Sequence, residues 1–192
     1  TVIENLLDKI DFLIIGGGMV YTFIKALGGE IGESICEDDF CEYSKKIIKL
    51  ADDKGVRLLL PEDVVIGSEF SDNAKITISS VYTIPKGWQG LDAGPESIKI
   101  FSQIIQKSKT ILWNGPIGVF ELEPFSNGTK ALGQEIVKRT KEGAFSLVGG
   151  GDSISAVKKF GMSEGISYIS TGGGAMLEYL EGKNLPGIDA LS

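Results

Sequence analysis

Three short strand-like runs in this 192-residue chain each lead into three consecutive glycines, and a helix-like pattern follows each glycine turn. The runs cover 12–15, 145–148 and 167–170, and the glycines stand at 16–18, 149–151 and 172–174. Strands that alternate with helices are typical of α/β proteins, and short continuous strands rich in β-branched residues are typical of parallel sheets covered on both faces. We therefore predict an α/β fold, Rossmann-like, with three αβα layers and a mainly parallel sheet.

The same alternation continues along the rest of the chain. Helices are predicted at 2–10, 19–27, 37–54, 96–107, 126–141, 152–160 and 175–181. Further strands are predicted at 57–60, 64–66, 76–81 and 110–113. The segment 85–95 (PKGWQGLDAGP) is rich in glycine and proline and is predicted to be a loop. Because no low-complexity linker divides the chain, we predict that residues 1–192 form one domain.

Composition excludes several classes of function. The chain has no histidine, which excludes Ser-His-Asp and Cys-His catalysis and most zinc sites. Its net charge of −7 argues against a nucleic-acid surface. No apolar run reaches the ~18 residues that a membrane-spanning helix needs. Cys36 and Cys41 have neither a CxxC nor a zinc-knuckle spacing, so we expect reduced thiols in a cytoplasmic protein.

The glycine turns are predicted to form an anion site. The carboxyl ends of parallel strands share one edge of the sheet, where ligands of open α/β folds bind. Glycine lets the backbone approach a ligand closely, and the free N–H groups at a helix start attract anions. One such turn is equally well explained by a tight corner, but three at equivalent positions favour binding. No dinucleotide fingerprint or P-loop motif occurs.

The turn at 149–153 carries the most specific chemistry. Asp152 and Ser153 follow its glycines directly. Either side chain would serve as an ordinary helix cap. A carboxylate inside a phosphate site would instead repel the phosphate unless Mg²⁺ lay between them, and Mg²⁺ binds through one or two carboxylates plus phosphate oxygens. This pattern therefore favours a magnesium-bound polyphosphate, with Ser153 as a cap or as a phosphate donor.

A second polar cluster lies in the segment WNGPIGVFE, 113–121. Asn114 follows the end of a predicted strand, where a polar group faces the ligand edge. Glu121 is a candidate acceptor for ribose hydroxyls, and a solvated loop acid is the equally weighted alternative. Gly90 lies in the predicted loop, where a flat group such as adenine would have access to the backbone.

Several segments, taken in order, resemble the C-terminal nucleotide-binding domain of phosphoglycerate kinase. They are LIIGGGMVYTFIKALGGEIG (13–32), LLLPEDVV (58–65), GWQGLDAGPES (87–97), WNGPIGVFE (113–121), VGGGDS (148–153) and STGGGAMLEYLEGKNLPGIDAL (170–191). The resemblance covers essentially the whole chain. It implies ATP-forming phosphoryl transfer between 1,3-bisphosphoglycerate and ADP in glycolysis, with Mg²⁺ and ADP or ATP bound here, in an enzyme that is a monomer at full length.

The resemblance also assigns roles to individual positions. The residues that it places around the nucleotide are Gly17, Gly18 and Gly90 at the adenine, Glu121 at the ribose with Gly115 and Phe120 in the same pocket, and Asn114, Gly150 and Ser153 near the phosphates. Asp152 is assigned to the magnesium ion. Gly151, Gly173 and Gly174 are assigned to the transferring phosphoryl group.

Parts of the family pattern are absent from this sequence. The family's N-terminal domain binds phosphoglycerate with arginines and histidines, whereas this chain has no histidine and only Arg57 and Arg139. The family also has a Gly-Gly-Ala-Lys strand end and a further lysine just before the helix that begins here at Thr1, and the strand leading into that motif is expected to be central in the sheet. We therefore expect the chain to be a piece of the enzyme that is inactive alone.

Two other readings are kept open. The first is a different α/β enzyme that uses glycine turns for a sugar phosphate or a cofactor, for which WNGPIGVFE would be coincidental. The second is a binding module without catalysis. A lysine motif and a basic domain upstream would favour the kinase, and a genuine start at Thr1 would favour the module.

Overall fold

The structure, a computed structural model, describes residues 2–170. In that range the α-helices are α1 (Val2–Leu6), α2 (Met19–Ala26), α3 (Cys41–Asp53), α4 (Pro95–Lys107), α5 (Asn127–Lys141) and α6 (Gly151–Lys159). The strands are β1 (Phe12–Ile14), β2 (Glu30–Ile31), β3 (Arg57–Leu59), β4 (Asp63–Gly67), β5 (Ile76–Ser80), β6 (Thr83–Ile84), β7 (Gln89–Ala93), β8 (Thr110–Asn114), β9 (Phe145–Gly149) and β10 (Tyr168–Ile169). The predicted glycines at 172–174 and the helix at 175–181 lie outside the described residues.

Parallel pairing dominates the sheet structure, as the sequence predicts. Strand β1 pairs with β3, β2 pairs with β6, and β8, β9 and β10 form a parallel group in the order β10–β9–β8. Strands β5, β4 and β7 form a separate antiparallel group. Among residues 2–170, β1 is hydrogen-bonded only to β3, and β8 only to β9. The α/β, Rossmann-like prediction is thus confirmed, with an added antiparallel unit.

Two hydrophobic clusters fix the strands against the helices. In the first, Phe101 of α4 and Val157 of α6 pack with Val148 of β9, and all three are fully buried. In the second, Ile24 of α2 and Ile47 of α3 pack together with strand residues of β4. Burying each side chain of this size contributes roughly 1.5–3 kcal/mol. The strand ends that carry the glycine turns are therefore held on a rigid, packed frame.

Carboxylates from neighbouring strands hold the starts of two helices. Asp63 of β4 accepts hydrogen bonds from the backbone N–H groups of Ser97 (2.8 Å) and Glu96 (3.2 Å) in the first turn of α4. Asp92 of β7 accepts one from the N–H of Gly128 in α5 at 2.7 Å. Negative charge is favourable there because it faces the positive end of the helix dipole. The N-cap residue of α6, like those of α4 and α5, makes no side-chain cap bond.

One prediction about local structure is wrong, and two predicted helices are shorter than expected. Residues 85–95 are not a continuous loop, because β7 occupies Gln89–Ala93. The predicted helix at 37–54 begins only at Cys41, after a 3₁₀ turn at Asp38–Phe40, and α1 ends at Leu6 rather than at residue 10.

None of the helices in the described part of the chain is long and apolar enough to cross a bilayer.

Candidate functional site

Two of the predicted turns meet at the carboxyl edge of the parallel group. Strand β8 ends at Asn114 and β9 ends at Gly149, and these two residues are partners in the parallel register. Just beyond them, the backbone N–H of Gly115 donates to the Ser153 hydroxyl oxygen at 2.6 Å. The segments 113–121 and 148–153, which the sequence analysis treats separately, therefore form one hydrogen-bonded site.

The start of α6 requires glycine. Gly150 has a φ of +85°, and a Cβ there would lie 2.7 Å from the Oδ1 atom of Asn114. Asp152 is exposed, so its carboxylate is available to a ligand, whereas Ser153 is fully buried. The first N–H groups of a helix have no partner within the helix. The edge thus combines free backbone donors, a bare glycine backbone and one open carboxylate.

The first glycine turn lies against the same site. The N–H of Gly17 donates to the backbone oxygen of Ile117 at 3.0 Å. Gly17 has a φ of +63°, and a Cβ there would lie 2.8 Å from the Pro116 backbone oxygen. Gly18 is exposed at the start of α2. Two of the three predicted glycine turns are thereby brought together with the 114–118 turn, and the third lies outside the described residues with Gly173 and Gly174.

Phe120 and Glu121 are held by the far end of α6. The Lys159 ammonium donates to the backbone oxygens of Phe120 (2.7 Å) and Glu121 (3.3 Å), and it lies 5.8 Å from the centre of the Phe120 ring. The Phe120 ring is buried and packs edge to face against the Phe160 ring, with 6.4 Å between the ring centres. The Glu121 side chain is exposed. Of this pair, Glu121 exposes a polar side chain to a ligand, and Lys159 holds the backbone of both residues.

Gly90 lies in strand β7 and is buried. Its N–H donates to the Ser34 hydroxyl oxygen at 2.9 Å, and a Cβ at this position would lie 2.1 Å from the Tyr21 hydroxyl oxygen. The glycine is therefore required by the close approach of Tyr21, a reason that the loop prediction did not include. Its role at an adenine stays a prediction.

Two buried residues that support the 114–118 turn were not predicted from the sequence. The Thr129 hydroxyl, fully buried in α5, accepts hydrogen bonds from the N–H groups of Ile117 and Gly118, both at 3.1 Å. A Cβ on Gly118 would lie 2.0 Å from Asp92 Oδ1, so the carboxylate packs directly against this turn. Neither residue stands next to the turn in sequence. The only sequence signal is an acid, Asp92, inside an otherwise apolar strand.

Burial controls the ionisation of Asp92. Its side chain is 2% exposed, and loss of water raises the pKa of this carboxyl to about 7, although the N–H groups of Gly128 and Ala93 lower it. Burial, and then the neighbouring Asp92 charge, also raise the pKa of Tyr21 far above its ordinary value. Asp92 is thus a carboxyl that titrates near neutral pH beneath the site.

The residues at the edge fit a magnesium-bound phosphate. Asp152 supplies one exposed carboxylate, and Mg²⁺ typically takes one or two carboxylates and completes its shell with phosphate oxygens and water. The neighbouring start of α6 supplies backbone donors for phosphate oxygens. The donor set is all oxygen, as Mg²⁺ prefers.

Comparison with known proteins identifies the family of this chain. The family model described as phosphoglycerate kinase matches residues 1–183. Among solved structures, the phosphoglycerate kinase from Coxiella burnetii is 45% identical with a TM-score of 0.94, and the alignment covers 100% of this chain and 49% of that one. The phosphoglycerate kinase from Pyrococcus horikoshii OT3 is 30% identical with a TM-score of 0.79, covering 99% and 47% respectively. The chain spans about half the length of these two proteins, and it belongs to the phosphoglycerate kinase family.

Proposed function

We propose that this chain binds a magnesium nucleotide at the glycine edge, the carboxyl edge of the parallel strands where the turns at 16–18 and 149–151 lie. In this way it supplies the nucleotide-binding half of an enzyme that forms ATP by phosphoryl transfer from 1,3-bisphosphoglycerate to ADP. The observation that carries the proposal is the junction of two turns, in which the Gly115 N–H donates to Ser153 next to the exposed Asp152. Family membership supports a glycolytic kinase. In the proposed reaction a β-phosphate oxygen of ADP forms a bond to the phosphorus of the acyl phosphate. The bond from that phosphorus to the carboxyl oxygen breaks, and 3-phosphoglycerate leaves as a carboxylate.

Phosphate oxygens are proposed to bind at the start of α6. The dipole of a helix places roughly half a positive charge at its N-terminus. Gly150 and Gly151 have no side chain to keep a phosphate away from the N–H groups. The Ser153 hydroxyl accepts a bond from Gly115 and still has its own O–H to donate, so the contact of Ser153 with a phosphate is assigned to this O–H or to the backbone N–H. Asn114, whose Oδ1 lies beside Gly150, lines the same place.

Asp152 is proposed to hold the magnesium ion, which when bound neutralises phosphate charge during transfer. Gly17 and Gly18 are proposed to border the adenine. Glu121, as an exposed carboxylate, would accept hydrogen bonds from the ribose hydroxyls, and Phe120 with Gly115 would line that part of the site. These assignments leave Asp152 as the residue whose loss has the most direct consequence for magnesium-dependent binding.

Substituting Asp152 with alanine is expected to weaken MgADP binding at least about tenfold, since the ion then loses its protein ligand. Calorimetric titration of MgADP into the wild type and the variant measures this directly. Asp53→Ala, which removes an exposed carboxylate at the end of α3, is the matched control and should bind as the wild type does. Equal affinities in the wild type and Asp152→Ala would contradict the magnesium role.

Residues 1–192 alone are expected to show no kinase turnover. Phosphoryl transfer needs cations around the transferring group, and removing a single arginine finger costs ~10³–10⁵ in rate. Arg57 begins β3, and Arg139 donates to the backbone oxygen of Ser108, which precedes β8. Both arginines therefore lie at amino-terminal strand ends, away from the glycine edge. ATP formation from ADP and 1,3-bisphosphoglycerate above a blank without the chain would contradict this expectation.

A further inference from the structure

Two thiols and a carboxylate converge on a part of the structure that the proposed function does not use. The Sγ atoms of Cys36 and Cys41 and a carboxylate oxygen of Asp38 all lie within 4.8 Å of one another. Both cysteines are partly buried and unoxidised, and they are the only two cysteines in the chain. Their spacing in sequence matches no common metal motif, so the fold and not the spacing brings them together.

The segment that carries these groups is anchored by its own hydrogen bonds. The N–H of Glu37 donates to the hydroxyl oxygen of Thr22 in α2 at 3.1 Å, and the N–H of Phe40 donates to the Glu37 oxygen at 2.9 Å. Thr22 is buried. The 3₁₀ turn at Asp38–Phe40 then leads directly into α3. The backbone that carries the three side chains is therefore held in place without a bound ion.

Protons and one ammonium group now occupy the places around these ligand atoms. The Cys36 thiol donates to Asp38 Oδ1 at 3.1 Å, and the Cys41 thiol donates to the Thr22 backbone oxygen at 3.8 Å. The Lys25 ammonium donates to the same Asp38 oxygen at 2.7 Å. Asp38 therefore already binds one cation, the Lys25 ammonium. A metal ion would displace this ammonium and release the two thiol protons.

The chemistry of the donor set defines the ion. Two thiolates and one carboxylate select a thiophilic divalent cation, whereas Mg²⁺ and Ca²⁺ prefer oxygen ligands. With Zn–S bonds of about 2.3 Å, two sulfurs in a tetrahedral site lie about 3.8 Å apart, so the two sulfurs need to approach each other by no more than about 1 Å. We propose that Cys36, Cys41 and Asp38 form a binding site for one thiophilic divalent cation, Zn²⁺ or Cd²⁺, with a fourth position open to water.

Cadmium titration of the freshly reduced chain tests the proposal. Cadmium bound to thiolate gives a sulfur-to-metal charge-transfer absorption in the ultraviolet, and with only two cysteines and no histidine in the chain this band reports on the proposed site alone. We expect saturation at one ion per chain. Cys36→Ser and Cys41→Ser should each weaken binding at least about tenfold. No band, or a full band after loss of either cysteine, would overturn the proposal.

Two further variants test the carboxylate and the competing ammonium. Asp38→Asn should weaken cadmium binding several-fold, whereas Asp39→Asn, an exposed acid next to it in the same turn, should have no effect. Lys25→Gln should strengthen binding, because the ion no longer competes with an ammonium for Asp38. Equal effects of the two acid variants, or weaker binding in Lys25→Gln, would contradict Asp38 as a ligand. Unfolding curves of the metal-free variants should match the wild type.

Discussion

Replacing Asp92 with alanine is expected to lower the free energy of unfolding by about 4 kcal/mol at pH 5. The carboxyl accepts hydrogen bonds from the N–H groups of Ala93 (2.9 Å) and Gly128 (2.7 Å) and is almost completely buried. Each buried donor left without a partner costs about 1–3 kcal/mol, and the missing side chain adds a cavity. Urea unfolding of the two proteins measures the difference.

Asparagine at the same position is the control that keeps the volume. Asp92→Asn retains one oxygen acceptor but turns an amide NH₂ toward the second backbone donor, so a loss of about 2 kcal/mol is expected. The order wild type, asparagine, alanine in falling stability follows if both hydrogen bonds matter. A loss below about 1 kcal/mol in Asp92→Ala would show that water replaces the carboxyl without cost, contrary to its burial.

The same residue gives the stability of the wild type a definite dependence on pH. The pKa of Asp92 is raised from 3.8 to about 7 in the folded chain, so between these values the folded state binds more protons than the unfolded state. The free energy of unfolding therefore falls as pH rises. This contribution is fully present below about pH 4 and is lost through pH 7. Relative to Asp92→Asn, the wild type should lose on the order of 1 kcal/mol per pH unit in that range.

The parallel strands and their glycine turns were predictable because the pattern is local. A short apolar run, a glycine turn and a helical period appear together in the sequence, and β8, β9, α5 and α6 lie within one residue of their predicted bounds. The meeting of the two turns also follows, since adjacent parallel strands end at the same edge. Their order in the sheet and the bond from Gly115 to Ser153 depend on tertiary packing that no local pattern contains.

Strand β7 was missed because its composition is typical of a loop. Its sequence, QGLDA, combines a glycine and an acid, both of which are depleted in strands. In the folded chain Gly90 makes room for Tyr21, and Asp92 holds the start of α5. Both residues are required by contacts with partners that lie more than 30 positions away in the sequence. Composition therefore indicates a loop where long-range packing produces a buried strand beneath the candidate site.

Replacing Thr129 with valine is expected to lower the free energy of unfolding by about 3 kcal/mol. The two side chains have nearly the same shape, so the change removes mainly the hydroxyl that accepts from Ile117 and Gly118. Thr129 is fully buried, and two backbone donors then lose their partner at about 1–3 kcal/mol each. Thr129→Ser keeps the acceptor and loses only a methyl group, for which about 1 kcal/mol is expected.

The nucleotide affinity of the same pair of variants connects this hydroxyl to the proposed site. The backbone oxygen of Ile117 accepts the bond from Gly17, so a shift of the 114–118 turn moves both the first glycine turn and the contact between Gly115 and Ser153. MgADP binding should therefore weaken in Thr129→Val and stay close to the wild type in Thr129→Ser, measured by calorimetry on folded samples. Weaker binding in both variants would show that the hydroxyl alone does not explain the effect, and unchanged binding in Thr129→Val would separate the turn from nucleotide recognition.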